Sequence, residues 1–307
     1  MSDGAGFLSP DGAVVGPVAT PDATHRVRRG RMIRRFTRNR GALIAFGFLV
    51  FVVLVAIFAP WLVPHDPETT NGRNTFAPPL SDGHILGTDN LGRDQLSRLI
   101  DSCSVAVSAS VIAVAVAVLV GVPPGLVAGF LRGRVDWVMS RIADALQSMP
   151  PLMLAIAIVA SLGFGLRNAM IALGIVFSSS FYRLTRAAVM EVREETYIEA
   201  SRSIGTPTMM IIRTRVLPNV LPPLLVQSAL VAGFALIAEA GLSLLGLGVQ
   251  PPQASWGSML SQGYNFLLLD PWQVVWPGLA ISLTVLACNV VGDGLRDAIG
   301  KETRIER

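Results

Sequence analysis

The sequence predicts an all-α membrane protein with six transmembrane helices. Of its 307 residues, 51% are hydrophobic and only 15% are charged. The mean hydropathy of the chain is +0.55. This composition is too apolar for a soluble domain of the same length. Long apolar runs recur along the chain, and crossing a bilayer core of about 30 Å requires about 20 helical residues.

The apolar runs place the six predicted spans at residues 43–63, 104–129, 142–162, 168–190, 221–247 and 272–294. The first run is longer than the apolar region of a secretory signal peptide, so we expect an uncleaved helix. Two proline pairs predict a kink or break, Pro123-Pro124 in the second span and Pro150-Pro151 in the third. Serines at 178–180 in the fourth span predict close approach of a neighbouring helix.

The distribution of basic residues predicts the orientation in the membrane. With six spans and the N-terminus in the cytoplasm, 21 of the 25 Lys and Arg residues lie inside. The other four are Arg73, Arg93, Arg98 and Arg167. This bias follows the positive-inside rule. We therefore predict a multi-pass protein of the cytoplasmic (inner) membrane with both termini in the cytoplasm.

Composition divides the chain into four regions. Residues 1–40 are predicted to form a disordered, basic cytoplasmic tail. Residues 41–101 comprise the first span, an extracytoplasmic loop and an interfacial segment, in which Asp94 and Arg98 are expected to pair as i,i+4 neighbours. Residues 102–298 form the remaining core, which includes a cytoplasmic loop at 190–220, and residues 299–307 form a C-terminal tail.

The loop at 190–220 predicts a helical hairpin. Gly205 stands where the first helix needs a left-handed residue to end. Thr206 would cap the second helix, Pro207 would occupy its first position and Pro218 would end it. The apolar faces are expected to consist of Tyr197, Ala200, Ser201 and Ile204 in the first helix and of Met209, Ile212 and Val216 in the second. An ordinary interfacial loop also fits this spacing.

Glu239 is an acidic residue within the fifth predicted span. A carboxylate in a membrane is costly unless it faces a cavity or a partner, which makes Glu239 and the nearby Ser243 candidates for the translocation pathway. The alternative is a structural hydrogen bond near the outer end of the helix.

Several other functions are disfavoured by the sequence. The only lysine, Lys301, lies outside any phosphate-binding loop, and no catalytic motif is found, so we expect no intrinsic enzyme activity. The three histidines are scattered along the sequence, so no metal site is expected. Cys103 and Cys288 are expected to be buried, inert thiols. The arginines flank apolar runs, as in membrane proteins, which argues against binding of nucleic acid.

The hairpin sequence resembles a known motif. Glu199-Ala200-Ser201, then three residues, Gly205 and later Leu217-Pro218 are similar to the "EAA" loop of permease subunits in binding-protein-dependent ABC importers. In that family the loop is a coupling helix that docks on a separate ATPase subunit. The resemblance implies the coupling role for Glu199, Ala200, Ser201, Ile204, Gly205, Leu217 and Pro218. The chain differs from the family pattern at Ser201 and Arg215, which leaves open the ATPase that it fits.

Three further motifs narrow the resemblance to the C-type permease subunits of dipeptide, oligopeptide and nickel importers. They are "GTDxxGRDxxSR" at 87–98, "LSxLGLGxQPP" at 242–252 and the segment from Asn289 to Asp297. Together with the hairpin they occur in family order between about Arg38 and Ala298. The resemblance implies the transmembrane domain of a type I ABC importer with a cytoplasmic coupling helix.

The resemblance also implies the partners. They are a homologous B-type permease subunit, two cytoplasmic ATPase subunits and an extracytoplasmic peptide-binding protein, with ATP and Mg²⁺ held by the ATPases and no cofactor held by this chain. Dipeptides, longer peptides, nickel chelates and glutathione remain open as substrates. The rival interpretations are a secondary transporter without an ATPase and a membrane scaffold in which the hairpin only anchors a soluble protein.

Overall fold

A computed structural model describes residues 34–81 and 83–300. Most of the predicted N-terminal tail and residues 301–307 of the predicted C-terminal tail lie outside the described residues. The helices are α1 Arg40–Leu62, α2 Gln95–Leu131, α3 Gly133–Gln147, α4 Pro151–Leu162, α5 Leu166–Arg193, α6 Thr196–Ser203, α7 Thr208–Ile211, α8 Leu217–Leu244, α9 Trp256–Tyr264 and α10 Trp272–Gly300. A π turn at Ile212–Val216 joins α7 to α8. The described part of the chain contains two isolated β-bridges and no strand, which confirms the all-α class.

The number of helices suited to cross a membrane is lower than the six predicted. Among the described residues, length and composition qualify four segments, Arg40–Leu62, Gln95–Leu131, Thr208–Leu244 and Trp272–Gly300. The helix pair α3 and α4 would make a fifth if it counts as one bent span. α5 covers the predicted fourth span but is not among the qualifying segments. Its charged and polar residues, such as Arg167, Arg183 and Arg186, lower its apolar character.

The predicted third span is wrong as a single helix. α3 and α4 are bent by 95°. Pro150 has an extended backbone (ψ 131°), and Pro151 begins α4, so the proline pair ends one helix and starts another. The chain turns sharply between α2 and α3. Arg132 and Gly133 form this corner, at φ +58° and +66°, and α3 begins at Gly133.

The other proline pair behaves differently. α2 continues through Pro123 and Pro124 to Leu131, so the predicted break is absent. Neighbouring helices can stabilise a transmembrane helix that contains proline. α2 is supported in this way because it packs closely against α5.

The contact between α2 and α5 is built from small residues. Gly121, Gly125 and Gly129 are all buried and recur at every fourth position of α2. A Cβ atom added to Gly121 would lie 2.8 Å from Phe181 Cβ, and one added to Gly125 would lie 2.9 Å from the carbonyl oxygen of Tyr182. Small residues at this spacing let helix backbones approach closely in membranes. The expected close approach at Ser178 is confirmed, since this residue is buried opposite Gly121.

Candidate functional site

The hairpin consists of α6, a corner at Gly205 and α7. Gly205 has φ +79°, as predicted for the left-handed residue that ends a helix. The Gly205 amide donates to the Arg202 carbonyl at 2.9 Å, and the Thr206 amide donates to the Ser201 carbonyl at 3.1 Å. These two bonds form a Schellman motif, which satisfies carbonyls at the end of α6. The corner is therefore fixed by local backbone geometry.

The hairpin rests on the helix core through a short apolar face. Ile198 is fully buried, and Ile211, Ile212 and Val216 are buried with it. They pack in one cluster with Phe130 of α2. The predicted face of α6 is therefore largely wrong, since of its four members only Ser201 is buried. Ile198 carries the contact, and Ser201 donates to the Tyr197 carbonyl at 2.7 Å.

Two arginines, Arg202 of the hairpin and Arg193 at the end of α5, contact Phe130 at the end of α2. The Arg202 guanidinium carbon lies 4.7 Å from the centre of the Phe130 ring. Arg193 donates to the Phe130 carbonyl at 2.6 Å and also faces the ring, at 5.9 Å. Cation–π contacts of this kind contribute about 0.5–1 kcal/mol each at exposed sites. Arg202 therefore joins α6 to Phe130 of α2, and Arg193 joins the end of α5 to the same residue.

The opposite side of the hairpin is open and apolar. Ile204, Met209 and Met210 are 82%, 71% and 56% exposed. A Cβ atom at Gly205 would meet no other atom within 4 Å. Among the predicted coupling residues, Glu199, Ala200, Ile204 and Gly205 are exposed, Ser201 is buried, and Leu217 and Pro218 are half-buried. Exposed apolar groups that cluster at an apex are typical of a docking surface.

The second half of the hairpin differs from the prediction. Pro207 occupies the cap position of α7 with no side-chain hydrogen bond, so Thr206 is not the cap. Met209 points outward, whereas Ile212 and Val216 are buried as expected.

Pro218 does not end a helix either, because α8 begins at Leu217 and includes it. Proline is tolerated in a first helical turn, and the preceding π turn shifts the hydrogen-bond pattern there. Thr214 Oγ1 and Asn219 Nδ2 donate to the carbonyls of Met210 and Arg215, both at 2.7 Å, and so support this junction.

Glu239 lies in a buried polar group at the other end of α8. Its Oε1 atom accepts hydrogen bonds from Ser243 at 2.8 Å and from Ser255 at 2.7 Å. Ser255 is the cap of α9, so the carboxylate joins α8 to α9. Gly257 packs against the same group, since an added Cβ atom would lie 2.6 Å from Glu239 Oε2. This geometry favours the structural interpretation, and the pathway role of Glu239 and Ser243 stays a prediction.

A pair of substitutions at Glu239 distinguishes the two roles. Glu239→Ala leaves two buried hydroxyl groups without their acceptor, so we expect it to destabilise the protein by about 1–3 kcal/mol. Glu239→Gln keeps an acceptor oxygen and is expected to cost less. Thermal unfolding in detergent measures both. Wild-type stability of Glu239→Ala would contradict the structural role, and loss of transport in that stable variant would support the pathway role.

The segment with the "GTDxxGRDxxSR" pattern is largely buried within the chain. Asp89 Oδ2 accepts a hydrogen bond from Arg93 Nε at 2.7 Å and lies 3.8 Å from Arg98 Nε. Arg98 is 2% exposed and also donates to the Pro67 carbonyl at 3.1 Å. The expected ion pair between Asp94 and Arg98 is therefore wrong, because Asp94 caps α2 and Arg98 faces Asp89. Arg93 reaches Gln262 of α9 at 3.1 Å.

Two of the three histidines, which are far apart in the sequence, lie close together at the same end of α2. This differs from the expectation that the histidines form no cluster. The fold brings His65 and His84 together, with ring centres 5.1 Å apart. Both rings face the carboxylate of Asp94. The sequence separation of these residues gave no sign of this contact.

Comparison with known protein families identifies the family of this chain. The profile described as binding-protein-dependent transport system inner membrane component matches residues 121–305, and that of the N-terminal TM domain of oligopeptide transport permease C matches residues 29–79. The chain belongs to this family of permeases. The predicted resemblance is thus confirmed.

Individual relatives of the chain are also named as permeases. The di/tripeptide transport system permease protein DppC of Pseudomonas aeruginosa is 41% identical over 288 residues, which cover 92% of this chain and 95% of the relative. The glutathione transport system permease protein GsiD of Pectobacterium atrosepticum is 37% identical, with coverage of 87% and 88%. The probable D,D-dipeptide permease DdpC of Escherichia coli is 39% identical, with coverage of 82% and 84%.

A solved structure supports the fold of the permease. An inward-facing structure of the MetNI methionine ABC transporter superposes with a TM-score of 0.55 at 20% identity. The match covers 65% of the permease and 95% of the solved chain. The predicted fold, that of an ABC importer transmembrane domain, is confirmed.

Proposed function

We propose that this permease is one of two membrane subunits of an ATP-driven importer of dipeptides or oligopeptides. Relatives named for dipeptide or di/tripeptide transport support this substrate class. The relative named for glutathione supports a small γ-linked peptide as the alternative substrate. A sister permease of the B type, two ATPase subunits and an external binding protein complete the proposed complex. ATP hydrolysis then belongs to the ATPases and not to this chain.

The exposed apex of the hairpin carries the mechanistic part of the proposal. Ile204, Met209 and Met210 present apolar surface, while Ile198 and Arg202 attach the hairpin to the core. A partner that binds this apex would move α6 and α8 together. ATP-driven closure of the ATPases would therefore shift the membrane helices between inward- and outward-open states, provided that the ATPases bind the two states with different affinity.

A tryptophan at Gly205 tests the docking surface. A Cβ atom added there would meet no other atom within 4 Å, and the left-handed backbone costs a non-glycine residue about 1–2 kcal/mol. We expect Gly205→Trp to remain folded but to lose bound ATPase subunits on purification in mild detergent. Substrate-stimulated ATP hydrolysis and transport in reconstituted vesicles should fall with it.

The chain offers a matched control at Gly246. This residue also has a left-handed backbone, φ +74°, and an added Cβ atom would meet no other atom within 4 Å, but it lies two residues beyond the opposite end of α8. Gly246→Trp should therefore keep its ATPase subunits. Normal transport by Gly205→Trp would contradict the docking role of the hairpin. Transport without ATP by the isolated chain would contradict the proposal that the protein is part of an ATP-driven importer.

The same preparation identifies the substrate. ATP hydrolysis is measured with the binding protein and a dipeptide, a longer peptide or glutathione in turn. Stimulation by glutathione alone would reject the peptide assignment in favour of the alternative. Stimulation by peptides is the expected result.

A further inference from the structure

Two histidines and an aspartate meet at the start of α2. His84 Nδ1 lies 2.9 Å from Asp94 Oδ1, and His65 Nδ1 lies 3.8 Å from Asp94 Oδ2. The three groups offer ligand atoms that all lie within 4.8 Å of one another. They come from two places in the loop after α1 and from the cap of α2. Only the folded chain brings them together.

We propose that His65, His84 and Asp94 bind a divalent transition-metal ion, and that Zn²⁺ is the ion that they match. Two imidazoles and a carboxylate, with a fourth position for water, form a known type of zinc site with bonds of about 2.1 Å. Tetrahedral bonds of that length separate two ligand atoms by about 3.4 Å. The separations of 2.9 Å and 3.8 Å lie on either side of this value.

A neighbouring serine orients the proposed ligands. The Ser97 amide and hydroxyl donate to Asp94 Oδ2 at 2.8 Å and 2.7 Å. The Ser97 hydroxyl also accepts from the His65 amide at 3.0 Å. Hydrogen bonds of this outer kind fix ligand orientation in metal sites. They leave Asp94 Oδ1 directed at His84.

The ring nitrogen that faces Asp94 can serve as a ligand. A His84 ring that carries its proton on Nε2 leaves Nδ1 with a free lone pair, and a bound ion would then replace the hydrogen bond between His84 Nδ1 and Asp94 Oδ1.

The group is open to solvent on one side. The His65 side chain is 46% exposed, whereas those of His84 and Asp94 are 14% and 2% exposed. An ion can therefore enter beside His65, and water can occupy the fourth position. Bound metal would tie the loop after α1 to the start of α2. This inference is independent of the proposed transport function.

Zinc titration of the full-length chain tests the proposal. The protein is purified in detergent with an affinity tag that contains no histidine, and ZnCl₂ is added in a calorimeter. We expect one Zn²⁺ per chain, with affinity at least about tenfold weaker in His65→Ala and in Asp94→Asn. Asparagine keeps the amide acceptor that caps α2. His25→Ala, which removes the third histidine, is the control and should bind as the wild type does.

Thermal unfolding supplies a second measurement that includes a folding control. Without zinc, His65→Ala should unfold at the wild-type temperature because its ring is half exposed. Excess zinc should raise the unfolding temperature of the wild type but not of His65→Ala. Equal zinc affinity in the wild type and the folded His65→Ala variant would overturn the proposal, as would the absence of stoichiometric binding to the wild type.

Discussion

Gly121→Val is expected to prevent the chain from reaching its native fold. A Cβ atom at this position would overlap the Ser178 carbonyl and lie 2.8 Å from Phe181 Cβ. Neither neighbour can yield easily, because one is backbone and Phe181 is fully buried. The variant must force α2 and α5 apart, at a cost of roughly 3 kcal/mol or more. Folded yield from membranes and thermal unfolding in detergent measure the effect.

Gly47→Val is the matched control for this substitution. Gly47 lies within α1, and a Cβ atom there would meet no atom within 4 Å. Its change in stability should stay within about 0.5 kcal/mol. Equal stability of the two variants would show that the glycines of α2 are not required for close packing.

Asp89→Ala is expected to be the second most damaging substitution. Arg93 and Arg98, with side chains 7% and 2% exposed, would lose their carboxylate partner. The Asp89 Oδ1 atom also accepts from the amides of Leu91 and Arg93, both at 2.9 Å. Removal of one partner from a buried ion pair costs about 3–5 kcal/mol. A fall of roughly 10 °C in the unfolding temperature should result.

An exposed ion pair supplies the comparison for Asp89. Glu194 contacts Arg132 at 2.7 Å, with side chains 64% and 44% exposed. A pair of this kind contributes about 0–1 kcal/mol. Glu194→Ala should therefore leave the unfolding temperature nearly unchanged. A small effect of Asp89→Ala, comparable with that of Glu194→Ala, would contradict the buried network.

The features predicted correctly from the sequence are those with local causes. Gly205 takes its left-handed conformation because the end of α6 requires it, and nearby residues alone decide this. The first and last spans follow from long apolar runs. Cys103 and Cys288 are buried free thiols, as expected from their apolar surroundings.

The features that were predicted wrongly depend on contacts between residues that are distant in the sequence. The expected pairing of Arg98 with Asp94 is wrong because the partners that Arg98 does have, Asp89 and the Pro67 carbonyl, come together only after folding. Ile198 was overlooked on α6 because the position of Phe130 decides which face is buried. The two proline pairs have different effects on the helices. The helix is broken at Pro150, whereas α2 continues through Pro123 because a neighbouring helix packs against it there. The contact between His65 and His84 carries no local signal.

The continuity of α7, the π turn and α8 has a mechanical consequence. The 37 residues from Thr208 to Leu244 form one helical rod, about 55 Å long at 1.5 Å per residue. The hairpin apex sits at one end, and the Glu239 bond to Ser255 sits near the other. The π turn lies close to the hairpin end of this rod. A tilt of the rod at the hairpin would therefore displace its far end and, through the bond between Glu239 and Ser255, move α9 with it.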